Sequence, residues 1–293
     1  MNEHIKLSVI GGDARQYVTA KVLRDAGFDC VTYAMPPGCD DGGEGIPATA
    51  SLGECLCDTS AVILGVPYSN DGRHINCKSP DCAIAFRTLC ERLAPRSLIL
   101  GGRVTPEAQA TAALYGVKLV DYLEREEVNI HNAVPTAEGA LAIAMNELPV
   151  TICGSRMAVL GYGRIGRVLS ERLRALGADV TVAVRKKRDE AWCRLSGFGV
   201  VGFDRLASLK GCQVIFNTVP ACVLGRRELE AIGAGTLHID LASKPGGVDM
   251  DSARELGCRV IWALSLPGKV AVRTAGEIIA ESVISILREE GIA

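Results

Sequence analysis

The sequence predicts an α/β protein made of two doubly wound parallel-sheet domains, and three observations support this fold class. Short apolar runs alternate with helical patterns throughout the chain, as in parallel strands joined by crossover helices. The 293 residues exceed the usual size of one domain and can build two hydrophobic cores. Hydrophobic residues make up 48% of the chain and charged residues 23%, which is a globular composition.

The first half has the pattern of a flavodoxin-like N-terminal domain, which we assign to residues 1–130. Apolar runs predict its strands at Ile5–Ile10, Asp29–Ala34, Ala61–Val66, Ser97–Leu100 and Val117–Val120. Helical spacing predicts helices near Ala14–Ala26, Ala83–Leu93 and Pro106–Tyr115. The stretch Met35–Ala50 is rich in Gly, Pro and Asp, which indicates a surface loop.

The second half repeats the alternation, and we assign residues 131–273 to a second domain. A helix is predicted over Thr136–Asn146, capped by Thr136 after Pro135 and crossing between the domains. Strands are predicted at Met157–Gly161, Asp179–Val184, Val214–Asn217, Leu237–Leu241 and Arg259–Trp262. A last helix, Thr274–Arg288 within residues 274–293, is a candidate to pack back on the first domain.

A Gly-x-Gly-x-x-Gly turn follows the first strand of the second domain and opens a helix. Gly161 permits the tight turn, Gly163 lets the backbone approach a pyrophosphate, and Gly166 lets helix and strand pack closely. The motif predicts an NAD(P)-binding Rossmann domain; the alternative is a turn that is only structural. The turn residues assigned to the site are Gly161, Tyr162, Gly163, Arg164, Ile165 and Gly166.

Basic residues follow the next strand, where an enzyme that uses NAD normally places an acid for the ribose 2′-hydroxyl. The run Arg185-Lys186-Lys187-Arg188 has four cations and no acid, which favours the 2′-phosphate of NADP over NAD. Of the four, we assign Arg185 and Lys186 to the cofactor site. A solvated basic loop is the alternative. The polar turn Thr218-Val219-Pro220 is expected beside the nicotinamide ribose, although Thr218 is equally suited to cap its strand.

Composition argues against several other classes of protein. The net charge of −2 and the 4% aromatic content give no basic field or stacking surface for nucleic acid. No signal peptide and no apolar run of membrane-spanning length is found, so we expect a cytoplasmic protein without a membrane anchor. The 12 cysteines lack the paired spacing of zinc sites, and we expect reduced thiols and no metal.

Several motifs between residues 11 and 276 together resemble the dipicolinate synthase A-subunit family. They are Gly11–Gln16, Asn132–Gly139, Val159–Gly166, Asp240–Gly247, Leu266–Ala271 and Thr274–Gly276. The resemblance implies an architecture similar to 2-hydroxyacid and alanine dehydrogenases, with a small dicarboxylate substrate in the cleft between the domains. Two positions depart from the expected motifs: Val272 replaces a proline, and His131 replaces an aromatic residue.

The same resemblance implies a reaction and a partner. The reaction is oxidation of dihydrodipicolinate, or of its hydroxylated tetrahydro precursor after loss of water, to pyridine-2,6-dicarboxylate during sporulation. The partner is the flavoprotein-like B subunit of the synthase, and a homo-oligomer is also possible. A 2-hydroxyacid or amino-acid dehydrogenase and a non-catalytic dinucleotide-binding protein are the alternatives. The dehydrogenases generally need a His–acid pair on the late strands, and His238 before Asp240 does not make a convincing one.

Such chemistry needs cations for two carboxylates and a base for the proton lost on aromatisation. Arg15, just after the first strand, is the best carboxylate clamp. Arg103 is a second candidate, for which a solvated surface position is favoured, and Lys269 is a third that can also simply face solvent. The catalytic candidates are Asp13, Arg15, Glu138 and Asp240. Three of them have structural alternatives: a helix cap for Asp13, a helix-dipole role for Glu138, and a loop anchor for Asp240. For His131, a structural or exposed role is favoured.

Overall fold

The computed structural model describes residues 5–39, 45–78 and 83–293, which divide into two compact units. Unit 1 comprises Met1–His131 and Ala271–Ala293, and unit 2 comprises Asn132–Val270. Part of the loop predicted at Met35–Ala50 lies outside the described residues. So does Cys82.

Unit 1 is built on a five-stranded parallel sheet in the order β2-β1-β3-β4-β5, which is the flavodoxin order predicted from the sequence. Its strands are β1 Lys6–Ile10, β2 Asp29–Tyr33, β3 Ala61–Leu64, β4 Leu98–Gly101 and β5 Lys118–Asp121. The first helices are α1 Ala14–Asp25, α2 Leu52–Leu56, α3 Phe86–Arg92 and α4 Pro106–Leu114. Every residue of β3 and β4 is buried, as expected for inner parallel strands covered on both faces.

Helix α5, Glu126–Glu147, corrects the prediction of a helix that starts at Thr136. Pro135 lies inside the helix, although the sequence suggested that it precedes the start. Thr136 does not cap: its Oγ1 donates to the Asn132 carbonyl at 2.7 Å, one turn back within the helix. Glu138 is therefore mid-helix and not in the first turn.

Unit 2 contains a six-stranded parallel sheet in the order β11-β10-β9-β6-β7-β8, the doubly wound order of dinucleotide-binding domains. The strands are β6 Arg156–Leu160, β7 Asp179–Ala183, β8 Gly199–Val201, β9 Val214–Asn217, β10 Leu237–Asp240 and β11 Arg259–Trp262. The helices are α6 Arg164–Ala175, α7 Lys187–Leu195, α8 Arg226–Ile232, α9 Met250–Glu255 and α10 Pro267–Val270. Strand β8 was not predicted, because it has only three residues. Helix α7 is one of the helices expected between the strands, for which the sequence analysis gave no bounds.

The last helix, α11 Val272–Glu289, packs on α1 in unit 1. Thr19 Oγ1 donates to the Gly276 carbonyl at 3.0 Å. A Cβ atom at Gly276 would lie 2.6 Å from Val18 Cβ and 2.7 Å from the Arg15 carbonyl oxygen. Gly276 is therefore required for the close approach of the two helices, and α11 supports the start of α1, where Arg15 lies.

The 11 cysteines within the described residues are free thiols. Burial raises the pKa of Cys30 to about 12 and that of Cys90 to about 11, so both behave as small apolar residues. None of the helices in the described ranges combines the length and apolar character needed to cross a bilayer.

Candidate functional site

The three glycines of the turn after β6 have different roles. Gly161 has a φ of +98°, and a Cβ atom there would lie 2.6 Å from Thr218 Oγ1. A Cβ atom at Gly166 would collide with the Gly161 carbonyl oxygen. At Gly163, by contrast, nothing lies within 4 Å of the added atom. The fold therefore requires Gly161 and Gly166, whereas Gly163 leaves open space in front of α6.

This open space is suited to a pyrophosphate. Gly163 is the N-cap of α6, and no side chain accepts from the first N–H groups of the helix. Those groups and the positive end of the helix dipole can bind an anion there. A side chain at Gly163 would fill the same space. The empty space at Gly163 and the uncapped N–H groups of α6 therefore fit a dinucleotide, and this argument does not depend on the sequence motif.

Two of the turn residues anchor the turn to unit 2. The Tyr162 ring packs edge-on against Phe198 with 6.3 Å between the ring centroids, and the Arg167 guanidinium lies 5.2 Å from the Tyr162 centroid. Arg167 Nε also donates to the Tyr162 carbonyl at 3.2 Å. Ile165 packs against the hydrophobic core. Arg164 is exposed at the start of α6.

The turn after β9 is tied to the glycine turn. Thr218 donates twice to the Leu160 carbonyl at the end of β6, from Oγ1 at 2.8 Å and from its backbone N–H at 3.0 Å. The Val219 N–H donates to Asn217 Oδ1 at 3.1 Å, and Pro220 is exposed. The Thr218 hydroxyl is thus engaged by the fold, and the face that this turn offers a ligand consists of Val219 and Pro220.

Asp240, at the end of β10, anchors the loop that follows it. Its carboxylate is 1% exposed and accepts three hydrogen bonds, from Asn217 Nδ2 at 2.8 Å, Ala242 N at 3.0 Å and Gly247 N at 2.7 Å. A carboxylate engaged in this way is poorly placed to accept a proton from a substrate. The anchored loop exposes Lys244, which has no salt-bridge partner among the described residues and was not singled out from the sequence.

The basic segment after β7 divides into two pairs. Lys187 Nζ donates to Glu190 at 2.8 Å, and Arg188 lies 3.5 Å from Asp189, so these two cations are paired along α7. Arg185 and Lys186 have no acidic partner in the part of the chain that the structure describes. The Arg185 guanidinium lies 6.0 Å from the centroid of the Phe203 ring. The two residues assigned to the cofactor from sequence are therefore the unpaired ones.

In unit 1, Arg15 and Asp13 follow β1 at the carboxyl edge of the sheet. Arg15 Nε donates to Asp13 Oδ1 at 2.9 Å, and Nη2 donates to Asp13 Oδ2 at 2.8 Å and to the Val66 carbonyl at 2.8 Å. Nη1 has no hydrogen-bond partner among the described residues. Asp13 also caps α1, accepting from the Arg15 N–H at 3.0 Å. Asp13 is therefore the cap of α1, and its carboxylate also pairs with the Arg15 side chain at the carboxyl edge of the sheet.

The segment after β3 passes over this edge and contains a histidine that sequence reasoning missed. The Gly12 N–H donates to the Asn76 carbonyl at 2.7 Å, and Asn76 Nδ2 donates to the Pro67 carbonyl at 3.1 Å. Two residues before Asn76, the half-exposed His74 places Nδ1 2.7 Å from Asp71 Oδ2. Hydrogen bonds from His74 hold the pKa of the Asp71 carboxyl below its ordinary value. The carboxylate fixes the ring and leaves Nε2 to face solvent or a ligand.

The remaining four candidates make no hydrogen bond or ion pair with these groups within the described residues. Glu138 pairs with Arg172 at 3.3 Å in unit 2, and exposed His131 lies 4.0 Å from Glu281 in unit 1. Arg103 and Lys269 are exposed. The structure gives none of these four candidates a contact that favours catalysis.

His238 on β10 is fully buried, and neither ring nitrogen has a hydrogen-bond partner. Burial lowers its pKa to about 4. It alternates with Ile239 along the strand and makes no pair with Asp240, which bonds to Asn217 and the following loop. The late strands therefore lack the His–acid pair that the alternative dehydrogenase hypothesis requires.

Comparison with known proteins agrees with this geometry. The A subunit of dipicolinate synthase from Bacillus subtilis (strain 168) is 31% identical to this chain over 97% of its length and 96% of the relative. The chain belongs to the dipicolinate synthase A-subunit family. A model of the N-terminal domain of the dipicolinate synthase A subunit matches residues 6–123. A model of the NAD binding domain of D-isomer specific 2-hydroxyacid dehydrogenases matches residues 124–237, which supports a dehydrogenase-like dinucleotide-binding role.

Two solved structures of this family have the same fold. The dipicolinate synthase A chain of Bacillus subtilis is 30% identical with a TM-score of 0.87, covering 99% of this chain and 97% of that one. The corresponding Bacillus halodurans protein is 28% identical with a TM-score of 0.88, covering 98% and 99%. Within its described residues, this family member has no cluster of three or more His, Cys, Asp or Glu side chains able to hold a metal ion.

Proposed function

We propose that this chain is the NADP-dependent oxidoreductase component that forms dipicolinate from dihydrodipicolinate or its hydroxylated tetrahydro precursor. The observation that carries the proposal is the open space at Gly163 in front of α6, because the fold itself does not need a glycine there. Membership of the dipicolinate synthase A-subunit family supports the substrate class. The proposal assigns cofactor binding to unit 2 and a substrate carboxylate to unit 1.

The cofactor assignment rests on charge and topology. Arg185 and Lys186 follow β7, on the side of the glycine turn where the adenosine ribose of a dinucleotide lies. Unpaired cations at that position stabilise a 2′-phosphate, and the residues directly after β7, Val184-Arg185-Lys186, include no acid to accept from a 2′-hydroxyl. The nicotinamide half then lies toward β9 and β10, near Val219, Pro220 and the exposed Lys244. The nicotinamide, when bound, accepts a hydride from the substrate.

Substrate recognition in unit 1 centres on Arg15. Asp13 and the Val66 carbonyl fix the guanidinium plane, and this leaves the two N–H groups of Nη1 to donate to a carboxylate. An arginine held in one orientation loses little conformational entropy when it binds an anion. Asp13 acts through Arg15, as the residue that positions it.

The proton released on aromatisation needs an acceptor, and we assign it to His74. Asp13 is neutralised by Arg15, Glu138 pairs with Arg172, and Asp240 is enclosed by hydrogen bonds. An imidazole can take up a proton near neutral pH, and Nε2 of His74 is free once Asp71 has fixed Nδ1. Asp71 orients the ring through its hydrogen bond to Nδ1.

The relatives of this chain are one subunit of a synthase. We infer that this chain works with a flavoprotein-like B subunit in the cytoplasm of a sporulating cell. The B subunit is expected to influence turnover and not the binding of NADPH, because the dinucleotide site is formed within unit 2.

Calorimetric titration with NADPH, with NADH and then with dipicolinate tests this function. We expect NADPH to bind at least tenfold more tightly than NADH, since a charge-assisted contact is worth about 1.5–3 kcal/mol. Dipicolinate is expected to bind the NADPH-loaded protein. Binding of NADPH without dipicolinate would instead favour a dinucleotide sensor, and equal affinity for the two cofactors would contradict the NADP assignment.

A further inference from the structure

A cavity of about 450 Å³ opens at the carboxyl ends of β7 and β8 in unit 2. Its walls come from the end of β7, from α7 and from the loop after β8. The volume is within the range of small-molecule sites and is far larger than a single phosphate needs. Its lining includes Val184, Arg185, Val201, Gly202, Phe203 and Arg205.

The charges around this cavity leave two arginines without an acidic partner. Four cationic and two acidic side chains line it. Glu190 accepts from Lys187 at 2.8 Å and from Arg194 at 2.9 Å, so these two cations share one carboxylate. Asp204 is the second acid of the lining, which leaves the six charged side chains with an excess of two positive charges. Arg185 and Arg205 form no salt bridge within the described residues. The cavity is therefore positive where Arg185 and Arg205 line it.

The loop after β8 shapes this end of the cavity. Asp204 folds its carboxylate back over Gly202, where any Cβ atom would collide with it. Arg205 leaves the helical conformation of the surrounding 3-10 turn, with φ −125° and ψ 25°. The Phe203 ring lies against the Arg185 guanidinium, 6.0 Å from it. An arginine supported by an aromatic face keeps its orientation and its charge available to a ligand.

The sheet order indicates what would reach this cavity. A dinucleotide on the glycine turn after β6 extends its adenosine toward β7, and β8 is the next strand beyond. A group attached to the 2′-position of the adenosine ribose therefore meets the loops that follow β7 and β8. A phosphate at that position would lie between the two unpaired arginines.

We propose that this cavity is the 2′-phosphoadenosine subsite of the cofactor site, with Arg205 and Phe203 determining specificity alongside Arg185. The inference rests on the proposed NADP-dependent function. Arg185 and Arg205 bind the 2′-phosphate from the loops after β7 and β8. Phe203 holds Arg185 in position, and its loop closes the outer wall of the subsite.

The test uses the full chain and two fragments, 2′,5′-ADP and 5′-ADP, in calorimetric titrations alongside NADPH and NADH. Arg205→Ala is expected to weaken 2′,5′-ADP and NADPH by about tenfold or more and to leave 5′-ADP and NADH unchanged, because only the first pair carries a 2′-phosphate. Arg227→Ala is the matched control, since Arg227 is exposed on α8 and has no salt-bridge partner in the described ranges. It should bind all four ligands as the parent does.

Phe203→Leu provides a second, uncharged variant. It should weaken 2′,5′-ADP by a smaller factor because it removes only the support of Arg185, while thermal melting confirms that it folds. If Arg205→Ala binds 2′,5′-ADP as tightly as the parent, the subsite is wrong although NADPH binding and the proposed function stand. If the parent binds neither NADPH nor 2′,5′-ADP, the proposed function and the subsite both fail.

Discussion

Arg15 and Asp13 form a two-point ion pair, Nε to Oδ1 at 2.9 Å and Nη2 to Oδ2 at 2.8 Å. Burial alone would raise the pKa of the Asp13 carboxyl, but the hydrogen bonds and charge of Arg15 outweigh it and leave that pKa below its ordinary value. Asp13 is therefore ionised throughout the neutral range. Its stabilising contribution is present above about pH 4 and is lost only as the pH falls through the lowered value in the folded protein.

Replacing Arg15 by alanine should abolish tight binding of dipicolinate and spare NADPH, because Arg15 belongs to unit 1 and the glycine turn to unit 2. Loss of one charged partner of a bound carboxylate costs about 2–4 kcal/mol. Arg15→Lys should not rescue binding fully, since lysine cannot make the two-point contact with Asp13 and also present a second nitrogen to the substrate. Arg92→Ala is the control, because it removes an exposed arginine of the same unit that ends α3 and has no salt bridge within the described residues. Equal dipicolinate affinity in parent and Arg15→Ala, measured by calorimetry, would remove Arg15 from the site.

Gly163→Val should prevent dinucleotide binding while the protein stays folded. The valine side chain enters space that is empty in the fold and that the pyrophosphate needs. Gly166→Ala is the contrasting variant, because its Cβ atom would collide with the Gly161 carbonyl and should destabilise unit 2 itself. Circular dichroism and thermal melting separate the two effects. A folded Gly163→Val protein with undiminished NADPH affinity would mean that the turn is only structural.

His74→Gln should slow turnover of dihydrodipicolinate at least tenfold without changing the affinity for NADPH or dipicolinate, because general-base catalysis contributes about 100- to 10,000-fold. Asp71→Asn should lower the rate less, since the imidazole stays in place and loses only the carboxylate that orients it through Nδ1. His131→Gln serves as a control, because His131 is exposed and its recorded ion-pair partner is Glu281. A parental pH–rate profile in His74→Gln would exclude His74 as the base.

Much of the fold could be predicted because buried parallel strands are continuous apolar runs. Val214–Asn217 and Arg259–Trp262 match their predicted bounds. Strand β8 was not predicted because its three residues are too short a run to stand out in the sequence. Pairing with β7 forms the strand in the folded protein. The start of α5 was missed because Pro135 resembles a helix boundary. Inside a helix, proline costs one backbone hydrogen bond, and here the surrounding fold tolerates that loss.

The candidate site could be predicted only as far as neighbours along the chain determine it. The glycine turn and the basic run are local patterns, so the sequence reveals both. The contact of Arg185 with Phe203 joins residues separated by a helix and a strand, and the engagement of Asp240 by Asn217 depends on the pairing of β9 with β10. No pattern of residue spacing in the sequence predicts contacts between residues so far apart along the chain. His74 was missed because an Asp and a His three residues apart in a loop do not form a recognisable sequence motif.

His238→Leu should stabilise the protein at acidic pH and leave dinucleotide binding unchanged. Burial lowers the pKa of His238 to about 4, so the unfolded chain binds a proton more readily than the folded one. Above the unfolded pKa of about 6.5, His238 does not lower the free energy of unfolding. As the pH falls from 6.5 toward 4, that free energy declines because the unfolded chain takes up the proton first. Between pH 7 and pH 5 this costs the parent about 2 kcal/mol, a loss that the leucine variant avoids.

Urea unfolding of both proteins at the two pH values measures this difference directly. Leucine has a similar volume and leaves no buried polar group without a partner, so we also expect no loss of stability at pH 7. An identical pH dependence in the two proteins would show that His238 is hydrated or paired in solution.

Oxidation of a dihydrodipicolinate with NADP as hydride acceptor is the activity on which the site assignments converge. Its most direct test is to mix the chain with freshly prepared dihydrodipicolinate and NADP, with and without the partner protein, and to measure NADPH and dipicolinate together over time. We expect one NADPH for each dipicolinate formed, at a rate that Gly163→Val and Arg15→Ala each reduce strongly. Dipicolinate that accumulates without NADPH, or at the same rate in both variants as in the parent, would contradict this activity.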